Sequence, residues 1–302
     1  AQPERRRRSD APRGSPRGSV RVMARVRPWL NGEEDCESCL RVLNQTSLEV
    51  LTEPRALLAD HRSRRRTTGS IQSPPSRSTG TLADTARCLA GDASNAAGQA
   101  GLQVRTFFFD TLFDASMSDD DVFSTLQQEL LTALNGEAVC ILAYGATGSG
   151  KTHTVMNLAE RTAKELERQA SNLEKVGLRL EIMVQIVEIY NDQLRDLLAQ
   201  DGHHEPPRLK LSVLANTPTL QGAAFRTITG DTVAGIARSL QETFRIGQAQ
   251  RATSATAVHG RSSRSHLVMK LLLCTRDAAT GAYQRMGKLS LVDLAGSERI
   301  KR

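Results

Sequence analysis

The chain reads Gly145-Ala146-Thr147-Gly148-Ser149-Gly150-Lys151-Thr152 at residues 145–152. This stretch directly follows an apolar run, Ala138 to Tyr144, and precedes a segment with helical periodicity. An apolar strand, a glycine-rich turn and a helix are the setting in which this pattern binds the phosphates of a nucleotide. Glycines let backbone N–H groups converge on phosphate oxygens, because no Cβ is in the way. The stretch therefore predicts a phosphate-binding loop, called the phosphate loop below.

The last two residues of the phosphate loop have side chains that suit phosphate chemistry. Lys151 is expected to reach the β- and γ-phosphates, and the Thr152 hydroxyl is expected to hold Mg²⁺. A glycine- and serine-rich surface turn can match the pattern by chance, but here every fixed position is filled and the strand is in place. We predict that the chain binds a nucleoside triphosphate or descends from a protein that did.

The charge of the chain is concentrated at its start. The 302 residues carry a net charge of +7, and residues 1–27 contain nine arginines against only Glu4 and Asp10. The charges of residues 28–302 therefore sum to zero. Residues 1–18 are predicted to be a disordered tail, because they offer too little apolar surface to fold. The tail could reach nucleic acid, anionic lipid or an acidic protein surface, or it could serve as a solubilising tail or a localisation signal.

Composition also limits the compartment. The five cysteines have no framework spacing, which indicates a reducing environment. No apolar run approaches the roughly twenty residues that span a membrane, and no apolar signal core follows the arginine-rich start. We expect a soluble, cytosolic chain without a membrane span.

Strands and helices are expected to alternate along the chain. Strands are predicted at Val20–Arg27, in two pieces between Leu40 and Leu51, and at Ala138–Tyr144, Leu180–Tyr190, Leu267–Cys274 and Lys288–Val292. Helices are predicted at Asp119–Leu134, from the phosphate loop to Gly177, at Gln193–Leu198, and after a cap at Asp231. A disordered insertion is predicted at about 53–103, where no apolar face recurs. The fold class is α/β, a mixed, mostly parallel central sheet flanked by helices.

Two further stretches of sequence have the residue types expected of segments that contact the γ-phosphate. Ser262-Ser263-Arg264-Ser265-His266 packs hydroxyls and a guanidinium immediately before a strand. Asp293 ends the last apolar strand and is followed by Gly296 and Glu298. The aspartate could bind Mg²⁺ through water, and the glycine could turn its N–H toward a γ-phosphate. Either stretch alone would be an ordinary loop or cap, but together they support a nucleotide site.

Taken together, these stretches resemble a kinesin motor domain. The matches occur in the order of that family, from about residue 19 to the end. They are Arg25-Val26-Arg27-Pro28, Phe109-Asp110-Thr111-Leu112-Phe113, Ala143 through Thr154, Val187-Glu188-Ile189-Tyr190-Asn191, Ser262 through His266, and Asp293 through Glu298. The base-reading Asn-Lys-x-Asp pattern of GTPases is absent from the sequence, which suits ATP.

The resemblance assigns roles to individual residues. It implies adenine contacts from Arg25, Arg27 and Pro28, with His153 stacking on the base. Ser262 and Ser263 are similar to switch I, which closes over Mg²⁺ and the γ-phosphate. Asp293 and Gly296 are similar to switch II, and Glu298 is expected to pair with Arg264 and organise the attacking water. The metal ligands implied are Thr152, Ser263 and Asp293.

The sequence also departs from the family pattern. His259 replaces an asparagine before the paired serines, and Ala146 replaces a glutamine in the phosphate loop. A Gly-Ile-Ile-Pro-Arg stretch is missing after His153, so the loop that usually protrudes near the nucleotide is expected to be lost. In the family, the main track-binding helices and one strand of the central sheet follow the position of Arg302. The sequence is therefore expected to be a fragment, a truncated isoform or a motor without its track-binding half.

The function implied is ATP hydrolysis coupled to movement along microtubules. ATP and Mg²⁺ are the expected cofactors, and microtubules in the cytoplasmic cytoskeleton the expected partner. Self-association through regions outside this sequence is left open, and nucleic acid is not an expected partner. The alternative is a nucleotide-binding regulatory or interaction protein that no longer moves. Residues 1–302 alone are expected to show no microtubule-stimulated ATPase.

Overall fold

The computed structural model describes residues 20–30, 39–52, 103–199, 209–214, 217–229, 235–256 and 264–298. The chain divides into two compact units, residues 1–116 and 117–302. The tail predicted at residues 1–18 and nearly all of the insertion predicted at about 53–103 lie outside the described ranges, and both stay predictions. In the parts of the chain that the structure describes, no helix is long and apolar enough to cross a membrane.

The described residues of the first unit contain five strands. β1 (Met23–Arg25) pairs in parallel with β5 (Thr111–Phe113). An antiparallel sheet has the order β2 (Leu40–Asn44), β3 (Ser47–Thr52) and β4 (Gln103–Phe108). The two strands expected between Leu40 and Leu51 are therefore present. The strand expected at Val20–Arg27 is shorter than predicted, because only its central residues pair.

The second unit begins with helix α1 (Asp119–Leu134), which has the predicted bounds. Ser118 caps it, because its hydroxyl accepts from the N–H of Asp121 while the Asp121 carboxylate accepts from the N–H of Ser118. This reciprocal cap satisfies two donors that the helix leaves open. The carboxylates of Asp119, Asp120 and Asp121 also favour the positive end of the helix dipole.

A six-stranded sheet forms the centre of this unit. Its strands are β6 (Ala138–Ala143), β7 (Leu178–Tyr190), β8 (Gln193–Asp196), β11 (Arg226–Thr229), β12 (Ser265–Asp277) and β13 (Tyr283–Asp293). The order is β11-β7-β12-β13-β6, and β8 pairs with β7. A separate hairpin joins β9 (Lys210–Leu214) and β10 (Thr217–Gln221).

The mixed character of the sheet is confirmed, but its balance differs from the expectation of a mostly parallel sheet. Only β13 and β6 are parallel among its described strands, and the other pairs are antiparallel. The reason is connection length, since β12 and β13 follow each other through a short turn that forces antiparallel pairing.

The short helix predicted at Gln193–Leu198 is wrong, because Gln193–Asp196 is strand β8. Asn191 and Asp192 have φ of 48° and 59°. Two consecutive residues with positive φ form a tight hairpin turn, a conformation that Asn and Asp tolerate. The turn sends the chain straight back along β7, so no helix can start there.

Two further helices pack against the sheet, α2 (Lys151–Glu174) and α3 (Ile236–Thr256). Helix α2 runs without interruption over 24 residues, as expected from the missing stretch after His153. Gly247 lets α3 approach the sheet closely, since a Cβ there would lie 2.7 Å from Ile186 Cδ1. The core between helices and sheet contains the buried side chains of Leu166, Ile182, Ile186, Leu240, Phe244, Leu267, Leu271 and Leu291.

Candidate nucleotide-binding site

The phosphate loop connects β6 to α2 in a conformation that its glycines allow. Gly148 and Gly150 have φ of 79° and 90°, which residues with a Cβ seldom adopt. Gly150 is the N-cap of α2, and no side chain of the described residues caps the helix there. The first N–H groups of α2 are therefore open toward the loop, and the helix dipole adds positive potential. This arrangement favours the binding of an anion.

Lys151 is the first residue of α2, and its side chain folds back over the loop. Its Nζ donates to the carbonyl oxygen of Ala146 at 2.8 Å. The N–H of Ser149 donates to the same carbonyl at 3.2 Å. The loop thus holds an ammonium group beside its open N–H groups, where it adds positive charge for a phosphate.

Asp293 ends β13 next to the phosphate loop. In the parallel pairing of β13 with β6 it lies opposite Ala143, two residues before Gly145. Its Oδ2 accepts from the Thr152 hydroxyl at 2.6 Å. The residue is only 1% exposed, yet its Oδ1 has no hydrogen-bond partner among the described residues. A hydroxyl oxygen beside a buried carboxylate oxygen with free lone pairs fits a hard divalent cation such as Mg²⁺.

A buried arginine that the sequence analysis did not identify binds the same carboxylate. Arg251 Nη1 donates to Asp293 Oδ2 at 2.7 Å. Its Nη2 donates to the carbonyl oxygen of Ser265 at 3.0 Å, and its Nε donates to the Ser265 hydroxyl at 3.3 Å. One guanidinium therefore joins the end of β13 to the start of β12.

Helical periodicity could have revealed Arg251. Ile236, Leu240 and Phe244 are spaced by four residues and are buried on one face of α3. Arg251 follows Phe244 by seven residues, so it lies on the same face. A charged side chain on the buried face of a helix requires a partner of opposite charge. Here that partner is the Asp293 carboxylate at the end of the predicted site strand.

The segment after β13 turns back onto the phosphate loop. The N–H of Ser297 donates to the carbonyl oxygen of Gly145 at 3.0 Å. Glu298 Oε2 accepts from the N–H of Thr147 at 2.9 Å, and its Oε1 accepts from the Thr147 hydroxyl. The pKa of Glu298 is lowered below its usual range, mainly by the hydrogen bond from the Thr147 hydroxyl. The positive charge of Lys151 lowers this pKa as well.

The structure brings only part of the predicted switch residues together. Ser262 and Ser263 lie outside the described residues, and Arg264 is exposed. Within the described residues Glu298 binds Thr147 rather than Arg264, so the ion pair of Glu298 with Arg264 stays a prediction. His266 anchors the segment after β13, because its Nδ1 accepts from the N–H of Ala295 at 3.0 Å.

The predicted base contacts also stay predictions. Arg25, Arg27 and Pro28 lie in the first unit, where Arg27 Nη1 donates to the carbonyl oxygen of Pro28 at 3.1 Å. His153 lies in the first turn of α2, and its side chain is 65% exposed. Its Nδ1 is 3.9 Å from a carboxylate oxygen of Asp119.

A strand, a glycine-rich loop, a helix and a second strand that ends in a buried aspartate define a nucleotide-binding protein of the phosphate-loop class. Residues 25–302 match the family model described as the kinesin motor domain. The chain belongs to the kinesin family.

Curated relatives agree with this assignment. Kinesin-like protein KIN-14F from Oryza sativa subsp. japonica is 32% identical over 294 residues, which are 94% of this chain and 24% of that protein. Kinesin-like protein 2 from Schizosaccharomyces pombe is 36% identical over 205 residues, which are 66% of this chain and 24% of that protein. The chain therefore spans about a quarter of the length of these relatives.

Solved structures of kinesin motor domains have the same fold. The motor domain of a Kar3-like kinesin from Ashbya gossypii is 25% identical with a TM-score of 0.62, covering 94% of this chain and 72% of that one. The motor domain of Kar3 from Saccharomyces cerevisiae is 28% identical with a TM-score of 0.60, covering 94% of this chain and 74% of that one. The predicted α/β fold class is confirmed.

Proposed function

We propose that this chain binds Mg·ATP and hydrolyses it as the nucleotide-binding part of a motor that moves along microtubules. One observation carries the proposal. The Thr152 hydroxyl is bonded to the buried Asp293 carboxylate at the head of a glycine-rich loop, in a chain of the kinesin family.

The phosphates and the base are bound by different parts of the chain. The phosphates take their hydrogen bonds from the N–H groups of residues 145–150 and their countercharge from Lys151. The base is contacted by Arg25, Arg27, Pro28 and His153. The open N-terminus of α2 and the ammonium group over the loop support the first part.

Thr152, Ser263 and Asp293 hold Mg²⁺ in this proposal. When bound, the ion neutralises negative charge on the transferred phosphoryl group. Hard oxygen donors are what Mg²⁺ prefers. Two observations support this choice of ligands. Within the described part of the chain the buried Oδ1 of Asp293 has no hydrogen-bond partner, and Oδ2 of the same carboxylate accepts from the Thr152 hydroxyl.

The hydrolysis step is assigned to the switch residues. Ser262 and Ser263 close over the γ-phosphate, and Gly296 donates its N–H to it. Glu298 pairs with Arg264 and organises the attacking water. The position of Gly296 and Glu298 directly against the phosphate loop supports their part in this assignment.

The microtubule is the proposed partner, and the microtubule cytoskeleton of the cytoplasm is the proposed location. Family membership supports both. Self-association of the whole protein is proposed through regions outside this chain. A structure that is 26% identical contains the C-terminal motor and motor homology domain of Kar3Vik1 fused to a synthetic heterodimeric coiled coil. Nothing among the described residues favours the regulatory alternative.

Titration of Mg·ATP into wild type and Lys151→Ala tests the nucleotide site. The substitution removes a charged donor from the phosphates, so affinity is expected to fall by roughly 10- to 100-fold. Lys164→Ala is the matched control, because Lys164 is an exposed lysine on the same helix. Equal affinity in wild type and Lys151→Ala would contradict the assignment of the loop.

ATPase rate against microtubule concentration tests the motor part of the proposal. A saturable stimulation of residues 1–302 that persists at physiological salt would support it, and would contradict the expectation from the sequence that these residues alone show no stimulation. Residues 1–27 could bind the acidic microtubule surface through charge alone, but that attraction is screened beyond about 8 Å at physiological salt. Stimulation that disappears with added salt would therefore speak against a motor and for non-specific binding.

A further inference from the structure

The carboxylate of Glu298 occupies donors of the phosphate loop. Both of its oxygens are bonded to one residue, Thr147, through the backbone N–H at 2.9 Å and through the side-chain hydroxyl. These two residues are 151 positions apart in the chain. An anionic group of the protein thus lies where the loop offers hydrogen bonds to an anion.

The backbone around this contact is shaped to bring the two residues together. Ser297 donates its N–H to the carbonyl oxygen of Gly145, which fixes the segment on the first residue of the loop. Gly296 has no side chain, and a Cβ at that position would overlap both the Glu298 carboxylate and the Thr147 hydroxyl. The contact therefore depends on a glycine that the sequence analysis assigned only to the γ-phosphate.

Electrostatics favours the charged carboxylate at this place. The hydroxyl of Thr147 is the main cause that lowers the pKa of Glu298, and the nearby charge on Lys151 adds to it. The same groups that would stabilise a phosphate thus stabilise Glu298. A single N–H makes one good hydrogen bond at a time, so the two anions compete for it.

We propose that Thr147 is a positioning residue that holds Glu298 on the phosphate loop, and that a nucleotide phosphate must displace Glu298 from Thr147 in order to bind. This exchange rests on the proposed function of the loop. The exchange couples phosphate binding to the pairing of Glu298 with Arg264. The Glu298 carboxylate becomes available to Arg264 only when phosphate has replaced it at Thr147. Coupling of this kind is reciprocal, so Glu298 lowers the affinity for nucleotide as much as nucleotide weakens the hold on Glu298.

Equilibrium titration of Mg·ADP and Mg·ATP into the full chain tests the exchange. Glu298→Ala is expected to bind both nucleotides about tenfold more tightly than wild type, the factor of one charge-assisted hydrogen bond. Glu160→Ala is the matched control, because Glu160 is exposed on α2 and its loss changes the net charge equally. Unchanged or weaker binding in Glu298→Ala, with binding intact in wild type, would overturn the exchange alone.

A second measurement follows the carboxylate itself. A pH titration of ¹³C-labelled glutamate, with the Glu298 signal assigned from its absence in Glu298→Ala, gives its pKa without any enzyme activity. The pKa is expected to rise toward the ordinary value in Thr147→Val, to stay low in Thr147→Ser, and to change in wild type on adding Mg·ADP. A low pKa in Thr147→Val would refute the role of Thr147. Absence of nucleotide binding in every variant would refute the proposed function and the exchange together.

Discussion

At Asp293 a single buried carboxylate receives both a hydroxyl from the phosphate loop and a guanidinium from α3. Asp293 is 1% exposed and Arg251 is 6% exposed. The two side chains meet at 2.7 Å. Each charge is acceptable at this depth because the other is present. The pair also fixes where the carboxylate points, since Oδ2 is bonded to Arg251 and to Thr152 at once.

Removal of the Arg251 side chain should therefore destabilise the fold much more than removal of an exposed arginine side chain. Arg251→Ala leaves Asp293 buried without its countercharge and Ser265 without two hydrogen bonds. The free energy of unfolding is expected to fall by about 3–5 kcal/mol. Urea denaturation in the absence of nucleotide measures it.

The same helix offers a matched control for this experiment. Arg245 pairs with Glu242 on α3, with side chains that are 74% and 43% exposed. Exposed pairs contribute about 0–1 kcal/mol, so Arg245→Ala should change stability little. Equal losses for the two variants would show that Arg251 is not held as a buried partner of Asp293.

Between elements, α1 approaches β13 closely at Gly287. A Cβ on Gly287 of β13 would overlap the carbonyl oxygen of Ala133 in α1, and it would lie 3.1 Å from the carbonyl oxygen of Glu137. These neighbours are backbone atoms, which cannot rotate away. The helix end and the strand can therefore pack at this distance only with glycine at residue 287.

Gly287→Ala should accordingly push α1 away from the sheet. Overpacking of this kind costs about 1–3 kcal/mol and sometimes more. Thermal unfolding measures the loss. Met286→Ala is the control, because the neighbouring Met286 is 55% exposed and its truncation should change stability by no more than about 0.5 kcal/mol. A Gly287→Ala protein as stable as the control would mean that α1 has room to move.

The bounds of elements that depend on neighbouring residues could be predicted from the sequence. The bounds and directions of strands that depend on pairing with distant residues could not. Helix α1 has its predicted bounds because Ser118 and Asp121 form a local cap. Strands β12 and β13 extend beyond their predicted apolar cores, to Ser265–Asp277 and Tyr283–Asp293, because each supplies a ladder partner to the other. The direction of neighbouring strands likewise follows from pairing rather than from periodicity.

The candidate site divides in the same way. The phosphate loop is recognisable because its residues are contiguous, and Asp293 because it ends an apolar strand. The contact between Thr147 and Glu298 joins residues 151 positions apart, and no local pattern marks it. The bonds from Arg251 to Ser265 and Asp293 are also long-range, although the helical position of Arg251 offered a signal.

On the scale of the whole molecule, the described part of the phosphate site belongs to one of the two compact units. The loop, Asp293, Arg251 and Glu298 all lie within residues 117–302. A ligand that binds there to the folded protein, and not to the unfolded chain, stabilises the fold by mass action. Ligand binding should therefore increase the free energy of unfolding of this unit.

Mg·ATP should raise the unfolding midpoint of wild type in urea, and the midpoint should keep rising with the logarithm of the ligand concentration once that concentration exceeds the dissociation constant. At a free concentration of about 100 times that constant, the gain is about 2.7 kcal/mol. Lys164→Ala should gain as much as wild type. Lys151→Ala lacks the ammonium over the loop, and at the same concentration a roughly 10- to 100-fold weaker affinity reduces its gain to about 0.4–1.4 kcal/mol. ATP with EDTA should stabilise less than Mg·ATP, because the proposed ligands Thr152 and Asp293 would then lack the cation that neutralises the phosphate charge. An equal gain for Lys151→Ala, or an equal gain with and without Mg²⁺, would mean that ATP stabilises the protein from some other place.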